Sequence, residues 1–284
     1  MHGIAAEATA KHTVSFGVHA DQYQLLNPTY NTSDSTTGCN RPSTATEGDR
    51  KTSTKAVWAQ DAWQLAPTVR FTFGGRYENW RAYDGYNVNG TTKITQPETD
   101  ASHSSPKAVL AWSPTPRFSL SAPAAKAYRF ATTSELFQLV STGATFTSPN
   151  PDLKPDNVFS TELRAEHRYD HARLQLALFN NDIHDAIISQ FKPLVAGSTT
   201  LYSYLSNVDH ARATGAELLL GTMGLGISGL DLSESMTYLH AKTSATSGAA
   251  SLSGTAAGFI GKRLLYVPEW RGTAQIMYRR VTRV

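Results

Sequence analysis

The sequence predicts an all-β protein, an antiparallel transmembrane β-barrel segment of about ten meandering strands. Apolar and polar residues alternate along many segments, and the connections between those segments are alternately short and long. Alternation with a period of two residues gives a strand two different faces. Bacterial outer-membrane barrels join such strands by tight periplasmic turns at one rim and by long extracellular loops at the other.

Composition supports this fold class. Charged residues make up 17% of the chain and aromatic residues 10%, yet the mean hydropathy is −0.33. The polarity therefore comes mainly from Ser, Thr, Asn, Gln and Gly, which suits strands with one wetted face. The longest strongly apolar stretch, 218–232, is interrupted by glycines and an aspartate, short of the ~18 apolar residues that a spanning helix needs.

The strands follow from the alternation, taken in chain order. Phe71, Phe73 and Tyr77 alternate with Arg76 and Glu78, so one face of that segment is apolar and the other is charged. Inward-facing polar residues of this kind imply a wet or plugged lumen. The predicted strands lie near residues 12–23, 53–65, 68–83, 104–113, 117–130, 157–169, 171–190, 201–222, 229–241 and 262–281.

The connections between these strands alternate in length. Short connections lie at 66–67, 113–116, 170–171 and 223–228, and long ones fill 24–52, 84–103, 131–156, 191–200 and 242–261. A soluble β-sandwich has no reason to keep its long loops at one end of every hairpin. Aromatic residues near both ends predict two interfacial girdles. These are Trp63, Trp112 and Tyr169 beside short turns, and Trp80, Tyr83 and Tyr238 beside long loops.

Other classes of function find little support. The net charge of +3 comes from scattered basic residues, so no nucleic-acid partner is expected. The single cysteine, Cys39, can form neither an internal disulfide nor a cysteine-based metal site. The nine histidines show no pair at metal-binding spacing with supporting carboxylates, so we predict no structural metal and no cofactor.

Several motifs occur in order along the chain. They are Ala59-Gln60-Asp61-Ala62-Trp63-Gln64-Leu65, Phe71-Thr72-Phe73-Gly74-Gly75-Arg76-Tyr77, Ser105-Pro106-Lys107, Ala111-Trp112-Ser113-Pro114, Tyr128-Arg129-Phe130-Ala131-Thr132 with Glu135-Leu136-Phe137, Asn150-Pro151-Asp152-Leu153-Lys154-Pro155-Asp156, Phe179-Asn180-Asn181-Asp182-Ile183-His184-Asp185-Ala186-Ile187, and Asn207-Val208, Ala211-Arg212 and Gly215-Ala216-Glu217 at fixed spacing. This collinear set resembles the barrel of TonB-dependent outer-membrane receptors, with Ala131 where the family usually has proline. The most specific part is 150–156, where the family usually has Asn-Pro-x-Leu-Lys-Pro-Glu.

Most motif residues have structural explanations. Pro151 and Pro155 hold the chain extended and remove amide donors before a strand begins. Gly215 permits a bulge or a close backbone approach, and Glu217 faces the lumen if its neighbours face lipid. We therefore expect structural roles for the motif residues Arg129, Glu135, Asn150, Pro151, Leu153, Pro155, Asp182, Asn207, Gly215 and Glu217.

The resemblance implies a function. It implies an outer-membrane receptor of a Gram-negative bacterium that imports a ferric siderophore or a similar scarce metal complex, with outer-membrane lipid and the TonB complex as partners. Family barrels have 22 strands, so residues 1–284 are expected to be a fragment of one barrel domain without its plug and final strands. Trp80, Tyr83 and Tyr86 are candidate ligand contacts, because aromatic residues often line binding cavities.

Two alternatives remain open from the sequence. A ten-stranded outer-membrane enzyme of the protease kind would use Asp182, His184 and Asp185, since a carboxylate beside a histidine can activate water. Against it, neighbouring strand residues point to opposite faces, which separates Asp185 from His184. We therefore predict that the protein is not an enzyme. A general porin or an adhesin would show the same alternation without the receptor motifs.

Overall fold

The computed structural model describes residues 2–9, 11–34, 36–38, 40–137, 140–142, 145–148, 150–193, 201–224, 227–245, 260–264 and 267–279. The strands are β1 His2–Thr9, β2 His12–Leu26, β3 Thr29–Asn31, β4 Ser43–Ala66, β5 Val69–Asn89, β6 Thr92–Thr95, β7 Thr99–Thr115, β8 Phe118–Arg129, β9 Val140–Thr142, β10 Thr145–Ser148, β11 Asp156–Arg168, β12 Ala172–Pro193, β13 Leu201–Met223, β14 Leu230–Ala245 and β15 Trp270–Tyr278. One helix, α1, runs over Thr133–Phe137. Cys39 lies outside the described residues.

The long strands form an antiparallel meander in which each pairs with the next one along the chain. Its order is β1, β2, β4, β5, β7, β8, β11, β12, β13, β14 and β15. Four short strands lie in the long connections. β3 pairs with β4, and β6 pairs with β5. β9 and β10 form a hairpin, and β10 pairs with β13 in parallel. Within the described residues, β1 and β15 each have a single neighbour. The all-β, meandering antiparallel architecture predicted from the sequence is confirmed.

The ten predicted strands are all present, with corrections at their ends. The predicted loops 24–52 and 84–103 are wrong in extent, because β4 already begins at Ser43 and β5 continues to Asn89. Their Ser, Thr and Asn content is typical of loops, but backbone pairing between two long strands continues regardless of composition. The last strand begins at Trp270 rather than near 262. β1 was missed, because its eight residues carry too little alternation to stand out.

Exposure separates the sheet into two faces, and we call the more exposed one the outer face. Large apolar side chains stand on it in register across the strands, since Phe16 pairs with Ala59, Val57 with Tyr77, and Leu163 with Leu178. Phe16, Val18, Val57, Phe73, Tyr77, Leu110, Leu163, Leu176, Leu178, Leu218 and Met236 are all 41–59% exposed. An exposed apolar surface of this extent marks contact with another apolar phase.

The inner face is polar, as the alternation in β5 predicts. Arg76 Nε lies 2.8 Å from Glu78 Oε1, and His19 Nε2 lies 2.6 Å from Asp21 Oδ2. Arg76 also reaches His19 Nδ1 at 3.2 Å, which joins the two pairs into one network across β2 and β5. Charges that pair with one another on a partly buried face are suited to a lumen and not to lipid.

The outer face carries one of the expected aromatic girdles. Trp63, Trp112 and Tyr169 near the short connections are 39%, 45% and 54% exposed. His12 stacks on Trp63 and lies 2.7 Å from Asp61, so this carboxylate has a partner at the rim of the apolar surface. The prediction that Trp80 belongs to an aromatic girdle is wrong, because Trp80 points to the inner face and is only 4% exposed. In the described part of the chain no helix is long and apolar enough to span a membrane.

Candidate functional site

A buried apolar cluster ties the long connection 130–155 to the inner face of the sheet. We call Trp80, Ala82, Ala131, Leu136, Phe137 and Leu153 the anchor cluster. Leu136 and Phe137 of α1 are 0% and 1% exposed, while Trp80 and Ala82 come from β5. Phe130 stacks on Trp80 with ring centroids 5.5 Å apart and planes 8° apart. The cluster therefore folds this connection inward over the strands instead of leaving it free above them.

A charged network holds the start of the same connection. Arg129, at the end of β8, donates from Nε to Asp156 Oδ2 at 2.8 Å and from a terminal nitrogen to Glu135 Oε1 at 2.9 Å. The Thr132 amide donates to Glu135 Oε2 at 2.7 Å, and the Glu135 amide donates to Thr132 Oγ1 at 3.3 Å. Thr132 and Glu135 thus form a capping box at the start of α1.

The environment of Glu135 favours its ionised form. Burial alone would raise the pKa of the Glu135 carboxyl, but the hydrogen bonds from the Thr132 backbone and from Arg129 outweigh it and lower the pKa below its usual value. Because Asp156 begins β11, its ion pair with Arg129 at the end of β8 connects the two strands that flank this long connection.

Two asparagines fix the end of the connection. Asn150 Nδ2 donates to the Leu205 carbonyl at 2.9 Å, and Asn150 Oδ1 accepts from the Asp152 amide at 3.0 Å. Asn207 on β13 exchanges 2.9 Å hydrogen bonds with the Lys154 amide and carbonyl and donates to the Asp185 carbonyl at 2.6 Å. Leu153 lies in the segment that these two asparagines hold, and its side chain belongs to the anchor cluster with 3% exposure. Pro151 and Pro155 stand on either side of Leu153 in the chain.

The remaining motif residues lie on β12 and β13. At Gly215 an added Cβ would lie 2.2 Å from the Tyr238 carbonyl oxygen and 2.5 Å from Phe179 Cζ, so the backbone approaches its neighbours closely there. Glu217 pairs in register with Ala177, which is 2% exposed and lies on the inner side. Asp182 faces the opposite side, where it hydrogen-bonds His210 and approaches Arg212 Nε at 3.5 Å.

The three aromatic residues predicted to contact ligand have different surroundings. Trp80 is covered by Phe130, whereas Tyr83 has the Arg81 guanidinium 5.4 Å from its ring centroid. Tyr86 donates to Glu47 Oε1 at 2.6 Å and carries the Lys93 ammonium 3.9 Å from its ring centroid. The hydrogen bond to Glu47 raises the pKa of Tyr86 to about 12.

Residues 2–282 match the family model for the TonB-dependent receptor-like β-barrel. The chain belongs to this family. Two iron-regulated outer membrane virulence proteins from Vibrio cholerae, of an El Tor and a Classical strain, are each 26% identical to it over 96% of its length. The ferric-catecholate import receptor Fiu from E. coli K12 matches 95% of the chain at a TM-score of 0.65 and 19% identity, covering 40% of its own chain.

The ferric yersiniabactin uptake receptor FyuA from Yersinia pestis matches 99% of the chain at the same TM-score and 14% identity, covering 39% of that receptor. At these identities the solved structures establish the fold alone. The chain spans 37% of the length of the curated relatives it matches. The family is one of Gram-negative outer-membrane transport receptors, so this TonB-dependent receptor barrel is an outer-membrane protein and the enzyme alternative is not favoured.

Sequence reasoning missed contacts that depend on register between distant segments. Phe130 and Leu205 join the surroundings of the anchor cluster, and His184 faces His210 directly across β12 and β13. No spacing along the chain reveals the histidine pair, which is why the sequence predicted no metal cluster. The available signal was that the Asp182-containing motif and the Asn207-containing motif lie on consecutive strands, which pair with each other.

Proposed function

We propose that the protein is an outer-membrane receptor that takes up a ferric siderophore or a similar scarce metal complex, with energy relayed by TonB. The match of residues 2–282 to the TonB-dependent receptor barrel carries this proposal. The names of the relatives support the class of solute, since the Vibrio cholerae proteins are iron-regulated and the two solved receptors import ferric catecholates and ferric yersiniabactin. Outer-membrane lipid on the outer face is the second proposed partner.

In the proposed receptor, residues 1–284 are one barrel domain within a larger barrel of about 22 strands. The shared span of 37% of the curated relatives supports this, as do the single neighbours of β1 and β15 in the described sheet. The plug and the segment that contacts TonB would then belong to other parts of the receptor. The polar network around Arg76 and His19 suits a wall facing such a plug or water.

No catalytic step is assigned to the chain. Asp182 and His184 share a face, but the Asp185 backbone has a φ of 54° and its carbonyl accepts from Asn207. Asp182 and His184 remain, and together they are better suited to binding than to acid–base chemistry.

In the proposed receptor, Tyr83 and Tyr86 contact the solute while Trp80 supports the connection behind them. Tyr83 and Tyr86 lie far beyond the short connection at the start of β5 and are half-buried, whereas Trp80 is covered by Phe130. Substituting Tyr83 or Tyr86 by Ala should weaken solute binding, with Tyr77→Ala as the matched control, since Tyr77 shares the outer face with Tyr83 but lies nearer the start of β5. Unchanged affinity in both variants would remove these two contacts from the proposal.

The function itself is tested by uptake. A strain lacking the gene should lose accumulation of radiolabelled iron from at least one of a panel of catecholate, hydroxamate and mixed siderophores, and the gene on a plasmid should restore it. Restoration should fail when TonB is deleted in the same strain. Uptake of every iron complex at the wild-type rate in the deletion strain would contradict the proposal, as would restoration without TonB.

A further inference from the structure

Three metal-binding side chains converge on the outer face between β12 and β13. His184 pairs with His210 in the register of these strands, and Asp182 precedes His184 by two residues and so shares its face. The imidazole centroids lie 4.6 Å apart. His210 Nε2 hydrogen-bonds Asp182 Oδ1, and His184 Nε2 lies 3.8 Å from Asp182 Oδ2. One oxygen of the carboxylate is thus hydrogen-bonded to the imidazole of His210, and the imidazole of His184 lies near the other oxygen.

We propose that Asp182, His184 and His210 form a binding site for a divalent transition-metal ion, with Zn²⁺ as the reference ion. One ligand atom from each residue lies within 4.8 Å of the others. Two imidazole nitrogens and a carboxylate oxygen are a common ligand set for zinc, which holds such atoms at about 2.0–2.2 Å and leaves a fourth position open. Side-chain rotation alone closes the distance, since the register already holds the two histidine backbones opposite each other.

The position of the site leaves it accessible from the external solution. Asp182 lies ten residues beyond the start of β12 at Ala172. With about 3.3 Å per residue and a strand tilt of about 40°, this puts it roughly 25 Å above the periplasmic rim, at the upper edge of an apolar band about 25 Å tall. Leu176, Leu178 and Leu218 form that band directly below it, and the His184 side chain is 48% exposed.

One neighbouring cation opposes metal binding. Arg212 Nε lies 3.5 Å from Asp182 Oδ1, and its side chain is 55% exposed. The guanidinium competes with a metal for the same carboxylate oxygen, yet its exposure allows it to swing into solvent when a metal binds. Removing the charge of Arg212 should therefore strengthen metal binding, an effect that a purely structural hydrogen-bond cluster would not produce.

The experiment uses the natural full-length protein, purified from outer membranes in detergent without a polyhistidine tag. Titration of Zn²⁺ against a chromophoric chelator should show one saturable site per chain. Loss of a second-shell partner already costs roughly 10–100-fold in metal affinity, so His184→Ala, His210→Ala and Asp182→Asn should each weaken Zn²⁺ by at least about tenfold. Arg212→Gln should bind more tightly than wild type. His240→Ala, a half-exposed histidine on β14, is the matched control and should bind as wild type.

A second measurement does not depend on whether the variants fold. Substoichiometric Cu²⁺ bound to the wild-type protein should give an electron paramagnetic resonance spectrum with superhyperfine splitting from two imidazole nitrogens. Zinc binding of wild-type strength in the double variant His184→Ala/His210→Ala would overturn the proposal. So would the absence of a saturable site in the wild-type protein, or a copper spectrum without nitrogen splitting. None of these results depends on which solute the receptor transports, so the site and the proposed function can fail separately.

Discussion

At the scale of single residues, the Arg129–Glu135 interaction predicts a pH-dependent long connection. The pKa of Glu135 is lowered in the folded protein, so its stabilising effect is complete above the usual glutamate pKa and disappears as the pH falls through the lowered value. Arg129 is 45% exposed, and after allowance for screening by solvent the interaction contributes about 1–2 kcal/mol. The protection factors of the amides in 130–137, obtained from hydrogen exchange after correction for intrinsic rates, should therefore be high at pH 7 and fall about five- to thirtyfold in acid.

The control for this prediction is Glu135→Gln. Gln cannot ionise, so the same amides should exchange faster than wild type at pH 7 and show little additional acceleration in acid after correction for intrinsic rates. A wild-type pH profile in the Gln variant would show that another group causes the dependence.

Gly215 offers a second residue-scale prediction. An added Cβ would lie 2.2 Å from the Tyr238 carbonyl oxygen, and the backbone of a paired strand cannot move aside cheaply. Gly215→Ala should therefore destabilise the barrel by about 1–3 kcal/mol, measured by urea unfolding in detergent micelles. Gly221→Ala on the same strand is the control, since nothing lies within 4 Å of its added Cβ. Equal stability of the two variants would show that the close approach at Gly215 is relieved at no cost.

At the scale of elements, the anchor cluster should determine how firmly the connection 130–155 is held. Phe137 is 1% exposed between α1 and β5, and removal of a fully buried Phe side chain costs about 3–5 kcal/mol. Because this cost falls on the connection and not on the strand pairing, Phe137→Ala should raise hydrogen exchange in 130–137 and 150–155 while leaving β14 unchanged. Ile94→Ala, at an exposed position of β6, should change neither region. Uniform acceleration across all strands would mean that the cluster supports the whole sheet.

The elements also show which features the sequence could predict. The strands of the meander were predictable because alternation is local, as Phe73, Arg76 and Tyr77 illustrate within a few residues. The inward fold of the connection was not predictable, since Leu153 and Trp80 are far apart in the chain and yet belong to one buried cluster with residues of α1. Trp80 was assigned to a girdle because aromatic residues near strand ends suit lipid headgroups, yet its even position in β5 places it on the inner face. The structural roles of the motif residues, and the ligand contacts of Trp80, Tyr83 and Tyr86, stay predictions.

At the scale of the whole molecule, the sheet has two faces with different chemistry, ion pairs on the inner face and apolar side chains on the outer face. Glu166 on the inner face accepts from Arg168 and Arg173 at 2.6 Å and is 8% exposed, while Leu176 on the outer face is 44% exposed at a comparable height. A one-residue register slip would exchange these faces and place the ion pairs in lipid. The long antiparallel registers, continuous over most of β12 and β13, prevent such a slip.

Membrane contact of the outer face can be tested by a matched pair of arginine substitutions. Leu178 lies six residues from the start of β12 and Gln60 six residues from the end of β4, so both lie at about half the height of the apolar band. Leu178 is 49% exposed on the outer face, whereas Gln60 pairs with Gly74 on the inner face. Leu178→Arg should lower the free energy of unfolding in phospholipid vesicles by about 2–4 kcal/mol, because the charge would enter lipid. Gln60→Arg keeps its charge in the polar interior and should cost much less. If Gln60→Arg were the more costly of the two in guanidinium unfolding followed by tryptophan fluorescence, the outer face assigned to lipid would have to be the lumen.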